Sequence, residues 1–142
     1  MRVTRLILFM MSIIVVYWLS MAGLFLSYAY DKGWILANFD SIDARRAISM
    51  LEENPQMLLL DVRTEHEYQE KHLKNAINIP VQVLSERLSE LSPFKGMPLL
   101  VYCRSGNRSV KASRILKKND YTPLNIKGGI KQLIHNNAAM DH

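Results

Sequence analysis

The chain's single cysteine, Cys103, lies between an apolar run that is typical of a buried strand and a short polar loop. The loop residues are Arg104, Ser105, Gly106, Asn107 and Arg108. Gly106 permits backbone angles that let successive amides point inward, and a helix that begins near Asn107 directs its positive end at the same place. The pattern predicts a cradle of N–H groups around the thiol.

This cradle is energetically sufficient to activate a thiol. Keeping a cysteine mostly ionised near neutral pH takes about 2.7 kcal/mol of differential stabilisation. A helix terminus supplies up to about 2 kcal/mol in favourable geometry, and loop amides with the guanidinium groups of Arg104 and Arg108 supply the rest. We therefore expect an ionised and accessible thiolate. The same loop would hold an anionic group attached to the sulfur, so it suits both a nucleophile and its charged adduct.

The composition leaves room for one ordinary domain, because the chain has 142 residues, 49% of them hydrophobic. One cysteine allows no intrachain disulfide and no cysteine-rich zinc site. The 18 Lys and Arg residues form no cluster with interleaved aromatics, so no nucleic-acid partner is expected. The sequence contains neither a glycine-rich nucleotide loop nor a His/Cys/Asp cluster with metal spacing, so we expect no cofactor and no metal.

The amino-terminal segment is long and apolar. Residues 6–30 carry no charged side chain over 25 positions. As a helix they would be about 38 Å long, more than the roughly 30 Å hydrocarbon core of a bilayer. We predict a transmembrane anchor over residues 1–30, with Arg2 and Arg5 on the cytoplasmic side and the remainder facing the periplasm or cell exterior. Three aromatic residues suit the opposite interface: Tyr28, Tyr30 and Trp34.

A cleaved signal peptide is the alternative, since Ser20-Met21-Ala22 has the small-x-small form of a cleavage site. Cleavage would give a soluble periplasmic domain whose new amino terminus carries Leu24-Phe25-Leu26 with nothing obvious to cover it, so we favour the anchor. Both interpretations place the domain in the same compartment. A buried core helix fits less well, because a domain this small rarely surrounds so long an apolar segment.

Short apolar runs and amphipathic segments alternate along the rest of the chain. We predict a linker over residues 31–40 and a domain over 41–142. The predicted strands are Met57–Leu60, Ala76–Ile79, Pro98–Tyr102 and Leu124–Ile126. The predicted helices are Ile42–Glu53 with Ser41 as N-cap, Glu65–Leu73, Val81–Leu91, Arg108–Asn119 and a short one from Gly128-Gly129 through Leu133. This alternation predicts an α/β domain with a parallel sheet and a reactive site at the carboxyl ends of the strands.

Three motifs occur together over roughly residues 41–135. The first is Leu60-Asp61-Val62-Arg63 with Glu67-Tyr68, His72-Leu73 and Ala76-Ile77-Asn78-Ile79-Pro80. The second runs from Val101-Tyr102-Cys103 to Ser109, and the third is Gly128-Gly129-Ile130. In order and spacing they resemble the rhodanese family of sulfurtransferases, with the small exported bacterial members closest. The resemblance implies a three-layer domain with a central parallel sheet and helices on both faces.

The resemblance also implies a persulfide cycle. Cys103 would take the outer sulfur of an anionic donor such as thiosulfate and pass it to cyanide or a thiol. The backbone amides of Arg104 to Arg108, with Ser105, Gly106 and Asn107 between them, would cradle the persulfide, while the two arginine side chains attract the donor. The resemblance implies that Asp61 and Arg63 mainly stabilise the fold. We expect a structural role for His72 as well. Because the chain has no second cysteine, discharge needs an external acceptor.

Two other functions compete with this one. Cysteine phosphatases and arsenate reductases of similar shape place five residues between Cys and Arg, whereas only four separate Cys103 from Arg108. Ser109 occupies the position of the phosphatase arginine, so we set phosphatase chemistry aside. The second alternative is a non-catalytic persulfide carrier or redox-sensing binding module at the membrane. We favour catalysis, because interaction modules of this shape commonly lack the cysteine.

Overall fold

A computed structural model describes residues 2–33 and 35–141, so Trp34 lies outside the described residues, as does the side chain of Arg2. The chain divides into two compact units between Leu36 and Ala37. The first unit is a single helix, α1 (Arg2–Asp31). Within Val3–Asp31, an apolar stretch of 18 residues has a mean hydropathy of 2.2, and none of those 18 residues is buried. By length and composition α1 can cross a membrane.

The second unit is an α/β domain around a five-stranded parallel sheet with the strand order β1-β6-β5-β2-β4. Its strands are β1 (Asp40–Ile42), β2 (Leu59–Asp61), β4 (Ile77–Asn78), β5 (Pro98–Tyr102) and β6 (Thr122–Ile126). A separate antiparallel pair joins β3 (His72–Leu73) to β7 (Met140–Asp141). The helices of the domain are α2 (Ala44–Glu53), α3 (Glu65–Glu70), α4 (Asn107–Lys118) and α5 (Gly129–His135), with a 3₁₀ helix over Leu88–Phe94.

Each face of the sheet has its own hydrophobic core. Successive β5 side chains point to opposite faces. Leu99 and Val101 join a cluster with Leu116 of α4. Leu100 and Tyr102 join the cluster on the other face, where α2 and α5 pack. The predicted parallel sheet with helices on both faces is therefore confirmed, and the predicted strand Pro98–Tyr102 has the observed bounds.

The start of the domain differs from the prediction. Ser41 is not a helix cap but the middle residue of β1, which pairs in parallel with β6. The cap of α2 is Asp43, whose carboxylate accepts a hydrogen bond from the Arg46 N–H at 2.8 Å. The three-residue strand has no apolar pattern of its own by which it could be predicted. It forms because it pairs with a segment more than eighty residues later. Asp40, predicted as the last linker residue, opens this strand.

Two predicted helices are also wrong in extent or type. The helix predicted over Glu65–Leu73 ends at Glu70, because His72 and Leu73 pair with the carboxyl-terminal strand β7. The segment predicted as the helix Val81–Leu91 forms turns followed by the 3₁₀ helix. Its apolar residues Val81, Leu84 and Leu91 are buried in one core cluster without a regular α-helix. The spacing that suggested a helix reflects burial of consecutive turns.

Candidate active site

Cys103 directly follows β5 at the carboxyl edge of the sheet, as predicted for the reactive position. The backbone N–H of Gly106 donates a hydrogen bond to the Cys103 Sγ atom over 3.1 Å. Gly106 has a φ of 107° and is the N-cap residue of α4. A side chain is strained at this positive φ, so glycine lets the loop turn back over the sulfur.

The burial of the cysteine corrects one expectation. Cys103 is only 1% exposed and belongs to the hydrophobic cluster beneath α4. The prediction of an accessible thiol is wrong, because the Cys103 residue is almost completely buried. Three of the loop residues, Arg104, Ser105 and Asn107, are exposed. The sulfur therefore lies at the base of the loop, where a hydrogen bond is worth more than in open water.

The Gly128-Gly129 turn closes against the cysteine from the next helix. The Ile130 N–H donates to the Cys103 carbonyl at 2.8 Å, and the Lys131 N–H donates to the Arg104 carbonyl at 3.5 Å. A Cβ atom added at Gly129 would overlap the Cys103 carbonyl oxygen and lie 2.9 Å from the Arg104 carbonyl carbon. Gly129 also has a φ of 59°. Only glycine permits this close approach without moving the loop over residues 104–108, which we term the active loop.

Arg108 is not the free cation that the sequence suggested. Its Nη1 and Nη2 atoms donate to the two carboxylate oxygens of Glu67, over 2.6 and 2.7 Å. These hydrogen bonds hold the pKa of Glu67 at about 2, against an ordinary value of 4.5. The same pair, aided by the proximity of Cys103, raises the pKa of Arg108 although partial burial lowers it. Glu67 therefore compensates the Arg108 charge and ties α3 to the active loop.

Glu67 is the site residue that we missed, although a local signal for its position exists. Thr64 and Glu67 form a capping box: the Glu67 N–H donates to Thr64 Oγ1 at 3.3 Å, and the Thr64 N–H donates to Glu67 Oε2 at 3.1 Å. The Thr-x-x-Glu spacing predicts this cap. It does not predict that the same carboxylate reaches Arg108, which lies 41 residues further along the chain.

The first motif forms a closed ion pair at the end of β2. Arg63 Nη2 lies 2.6 Å from an Asp61 carboxylate oxygen, with both side chains buried. Arg63 also donates to the Lys71 carbonyl at 2.8 Å. Burial would lower the pKa of Arg63, but the hydrogen bond and charge of Asp61 raise it overall. His72 stacks on Tyr68 with ring centres 3.8 Å apart. These contacts give Asp61, Arg63 and His72 partners within the fold and connect neighbouring elements.

Comparison with known proteins identifies the class. A family model described as Rhodanese-like domain matches residues 43–136, so the chain belongs to the rhodanese-like family. Thiosulfate sulfurtransferase PspE of Escherichia coli K12 is 38% identical over 74 residues, covering 52% of this chain and 71% of that protein. A sulfurtransferase of Allochromatium vinosum is 33% identical over 92 residues, covering 64% of this chain and 84% of that protein.

Other relatives and solved structures broaden the picture. A tRNA uridine(34) hydroxylase of Buchnera aphidicola is 35% identical over 94 residues, which cover 63% of this chain but 30% of that protein. The crystal structure of a rhodanese-related protein from Thermoplasma volcanium superposes with a TM-score of 0.63 at 30% identity, covering 72% of this chain and 98% of that one. Members named for different activities therefore share this domain.

Proposed function

We propose that this protein transfers a sulfane sulfur from a donor such as thiosulfate to cyanide or a thiol through a persulfide on Cys103. The observation that carries the proposal is the Gly106 N–H on the Cys103 sulfur at 3.1 Å, at the end of a central strand. This N–H points at the atom that would act as the nucleophile and would then carry the transferred sulfur. The relatives named as sulfurtransferases support the same chemistry.

The proposed cycle balances without a cofactor. The Cys103 thiolate attacks the outer sulfur of thiosulfate, a sulfur–sulfur bond forms, and the bond to the sulfonate sulfur breaks. Sulfite leaves with that electron pair, so the enzyme holds an anionic persulfide. The cyanide carbon then attacks the outer sulfur, thiocyanate forms, and Cys103 leaves as thiolate. The amides of Arg104 to Arg108, including those of Ser105, Gly106 and Asn107, would hold the persulfide charge.

The two arginines then have different proposed roles. Arg104 is exposed, so its guanidinium is placed to attract an anionic donor. Arg108 is bound by Glu67 and is 29% exposed, so we assign it to holding the loop in shape. Its charge still lies close enough to Cys103 to interact with the sulfur.

Mass spectrometry tests the proposal on the full chain in a non-ionic detergent. Treatment with thiosulfate should add one sulfur atom to the peptide that contains Cys103, and cyanide should remove it as thiocyanate. Cys103→Ser should show neither change while keeping the wild-type circular dichroism spectrum. Absence of the added sulfur from folded, reduced wild-type protein would overturn the proposal.

The low exposure of Cys103 favours one alternative, a persulfide carrier or redox sensor without fast turnover. Steady-state thiosulfate:cyanide kinetics separate the two. Repeated turnover supports the enzyme, whereas one added sulfur per chain without continuing thiocyanate release supports the carrier.

We also propose that α1 anchors the protein with its domain in the periplasm or outside the cell. At 1.5 Å per residue the 29-residue span is about 44 Å long, enough to cross a bilayer with tilt. Arg5 at its amino end favours a cytoplasmic start. Cleavage to a soluble periplasmic protein is the other outcome of one experiment: the mass of the native protein in washed membranes and in the soluble fraction. The full-chain mass supports the anchor, and a shorter soluble species overturns it.

A further inference from the structure

A surface groove, which we term the side groove, runs beside the active loop. Its lining includes Lys71, Arg104, Ile130, Lys131, Ile134 and Glu70. The groove is joined to the active loop through the main chain, because the Ile130 N–H donates to the Cys103 carbonyl at 2.8 Å and the Lys131 N–H donates to the Arg104 carbonyl. A molecule in the side groove therefore lies next to the segment that holds the sulfur.

The charges of the side groove do not cancel. Arg63 and Glu67 also line it, but each is compensated within the fold. Arg63 pairs with Asp61 at 2.6 Å, and Glu67 pairs with Arg108 at 2.6 Å. The cations Lys71, Arg104 and Lys131 then face a single carboxylate, Glu70, which lies 3.6 Å from His66 Nδ1. The described lining is therefore positive overall.

The side groove also presents hydrocarbon. Ile134 in its wall is 43% exposed, and Ile130, one helical turn earlier, lies beneath it at 6% exposure. Thiosulfate is a compact dianion with no apolar part, so this strip offers it nothing. An acceptor with a short aliphatic body and a negative charge matches both features.

We propose that the side groove binds the acceptor, and that the acceptor is a small thiol that carries carboxylate groups on an aliphatic body. This inference rests on the proposed sulfur transfer. The hydrocarbon would lie over Ile130 and Ile134, with carboxylates facing Lys131 and Lys71. The acceptor thiolate attacks the outer sulfur of the persulfide, the bond between the two persulfide sulfurs breaks, and Cys103 leaves as thiolate. The product is the acceptor persulfide.

The test compares mercaptosuccinate, which carries two carboxylates, with the neutral thiol 2-mercaptoethanol. In a double displacement, kcat/KM for the acceptor reports the second half-reaction alone. For each variant we divide kcat/KM for mercaptosuccinate by kcat/KM for 2-mercaptoethanol. This ratio is then divided by its wild-type value, so that intrinsic thiol reactivity cancels. Lys131 is exposed, so we expect Lys131→Gln to lower this ratio by no more than about five-fold, as loss of one exposed charge contact implies. Lys131→Arg should restore it.

Lys118→Gln is the matched control, because Lys118 is an exposed lysine at the far end of α4 from the active loop. Its ratio should equal that of wild type. The wild-type protein should prefer mercaptosuccinate to 2-mercaptoethanol. Raised salt should reduce this preference, since exposed charges are screened. An unchanged ratio in the double variant Lys71→Gln/Lys131→Gln, in an enzyme that still makes thiocyanate, would overturn the side-groove inference alone. A wild-type protein that makes no thiocyanate would instead contradict the proposed function.

Discussion

The ends of β2 and β5 lie side by side, yet they differ in what they do. Asp61 is the register partner of Tyr102, so Asp61 and Cys103 lie at the same edge of the sheet. At the end of β2 the carboxylate is fully buried and bound by Arg63, two residues later. At the end of β5 the sulfur receives an N–H from Gly106. At the first end a neighbouring counter-charge completes a buried ion pair, whereas at the second end a backbone N–H contacts the sulfur that we propose as the nucleophile.

The largest expected effect comes from a substitution at the end of β5, where Cys103 lies. Cys103→Ser should lower thiosulfate:cyanide turnover by about three orders of magnitude or more, because the nucleophile itself is removed. The free energy of unfolding should fall by no more than about 1–3 kcal/mol, the cost of placing a hydroxyl in an apolar cluster. Urea unfolding and the turnover assay measure the two quantities. Retained turnover in the serine variant would place the nucleophile elsewhere.

The next largest effect comes from a substitution at the end of β2, where Asp61 pairs with Arg63. Asp61→Asn leaves the buried Arg63 without its charge partner and should lower the free energy of unfolding by about 3–5 kcal/mol. The double variant Asp61→Asn/Arg63→Met should recover part of this loss, because the unpaired charge is removed. Chemical denaturation gives both values. A double variant less stable than Asp61→Asn would contradict this account of the pair.

A smaller effect is expected from a substitution at Gly129, which packs against the Cys103 main chain at the end of β5. Gly129→Ala puts a Cβ against the Cys103 carbonyl oxygen at a φ of 59°. We expect a loss of about 2–3 kcal/mol in unfolding free energy, from backbone strain and steric overlap together, and a fall in turnover as the loop moves. Gly96→Ala is the matched control, because Gly96 has a φ of 80° and no atom within 4 Å of the added Cβ. Equal losses of stability and activity in the two variants would exclude the overlap.

The smallest effect concerns the ion pair between α3 and the active loop. The pKa of Glu67 is about 2 in the folded protein and 4.5 ordinarily, chiefly because Arg108 donates to the carboxylate. A depressed folded pKa means that the stabilisation is complete above pH 4.5 and is lost as the pH falls from 4.5 towards 2. The side chains are 23% and 29% exposed, so we expect about 1 kcal/mol at neutral pH.

Glu67→Gln measures this contribution. The difference in unfolding free energy between wild type and Glu67→Gln should shrink as the pH falls through that window. Glu90→Gln, which removes the exposed pair with Arg87, serves as the control and should show a smaller difference at neutral pH. A pH-independent difference would show that the Glu67 charge contributes nothing to stability.

Local patterns in the sequence determined much of this protein. The apolar run before Cys103, the glycine in the polar loop and the amphipathic segment after it were enough to predict β5, the active loop and α4 nearly residue by residue. These features depend on neighbours a few positions apart, through strand burial, helix start signals and the freedom of glycine. The same holds for the long apolar segment that forms α1.

Contacts between distant segments were decided only in the tertiary structure. Pairing with β6 made Ser41 a strand residue, and pairing with β7 ended α3 early. Glu67 compensates Arg108, and Gly129 closes on Cys103 from the start of α5. The type of a residue states which charge or hydrogen bond it offers, but packing selects the partner that receives it. For that reason the sequence located the thiol, while the fold determined its burial and paired Arg108 with Glu67.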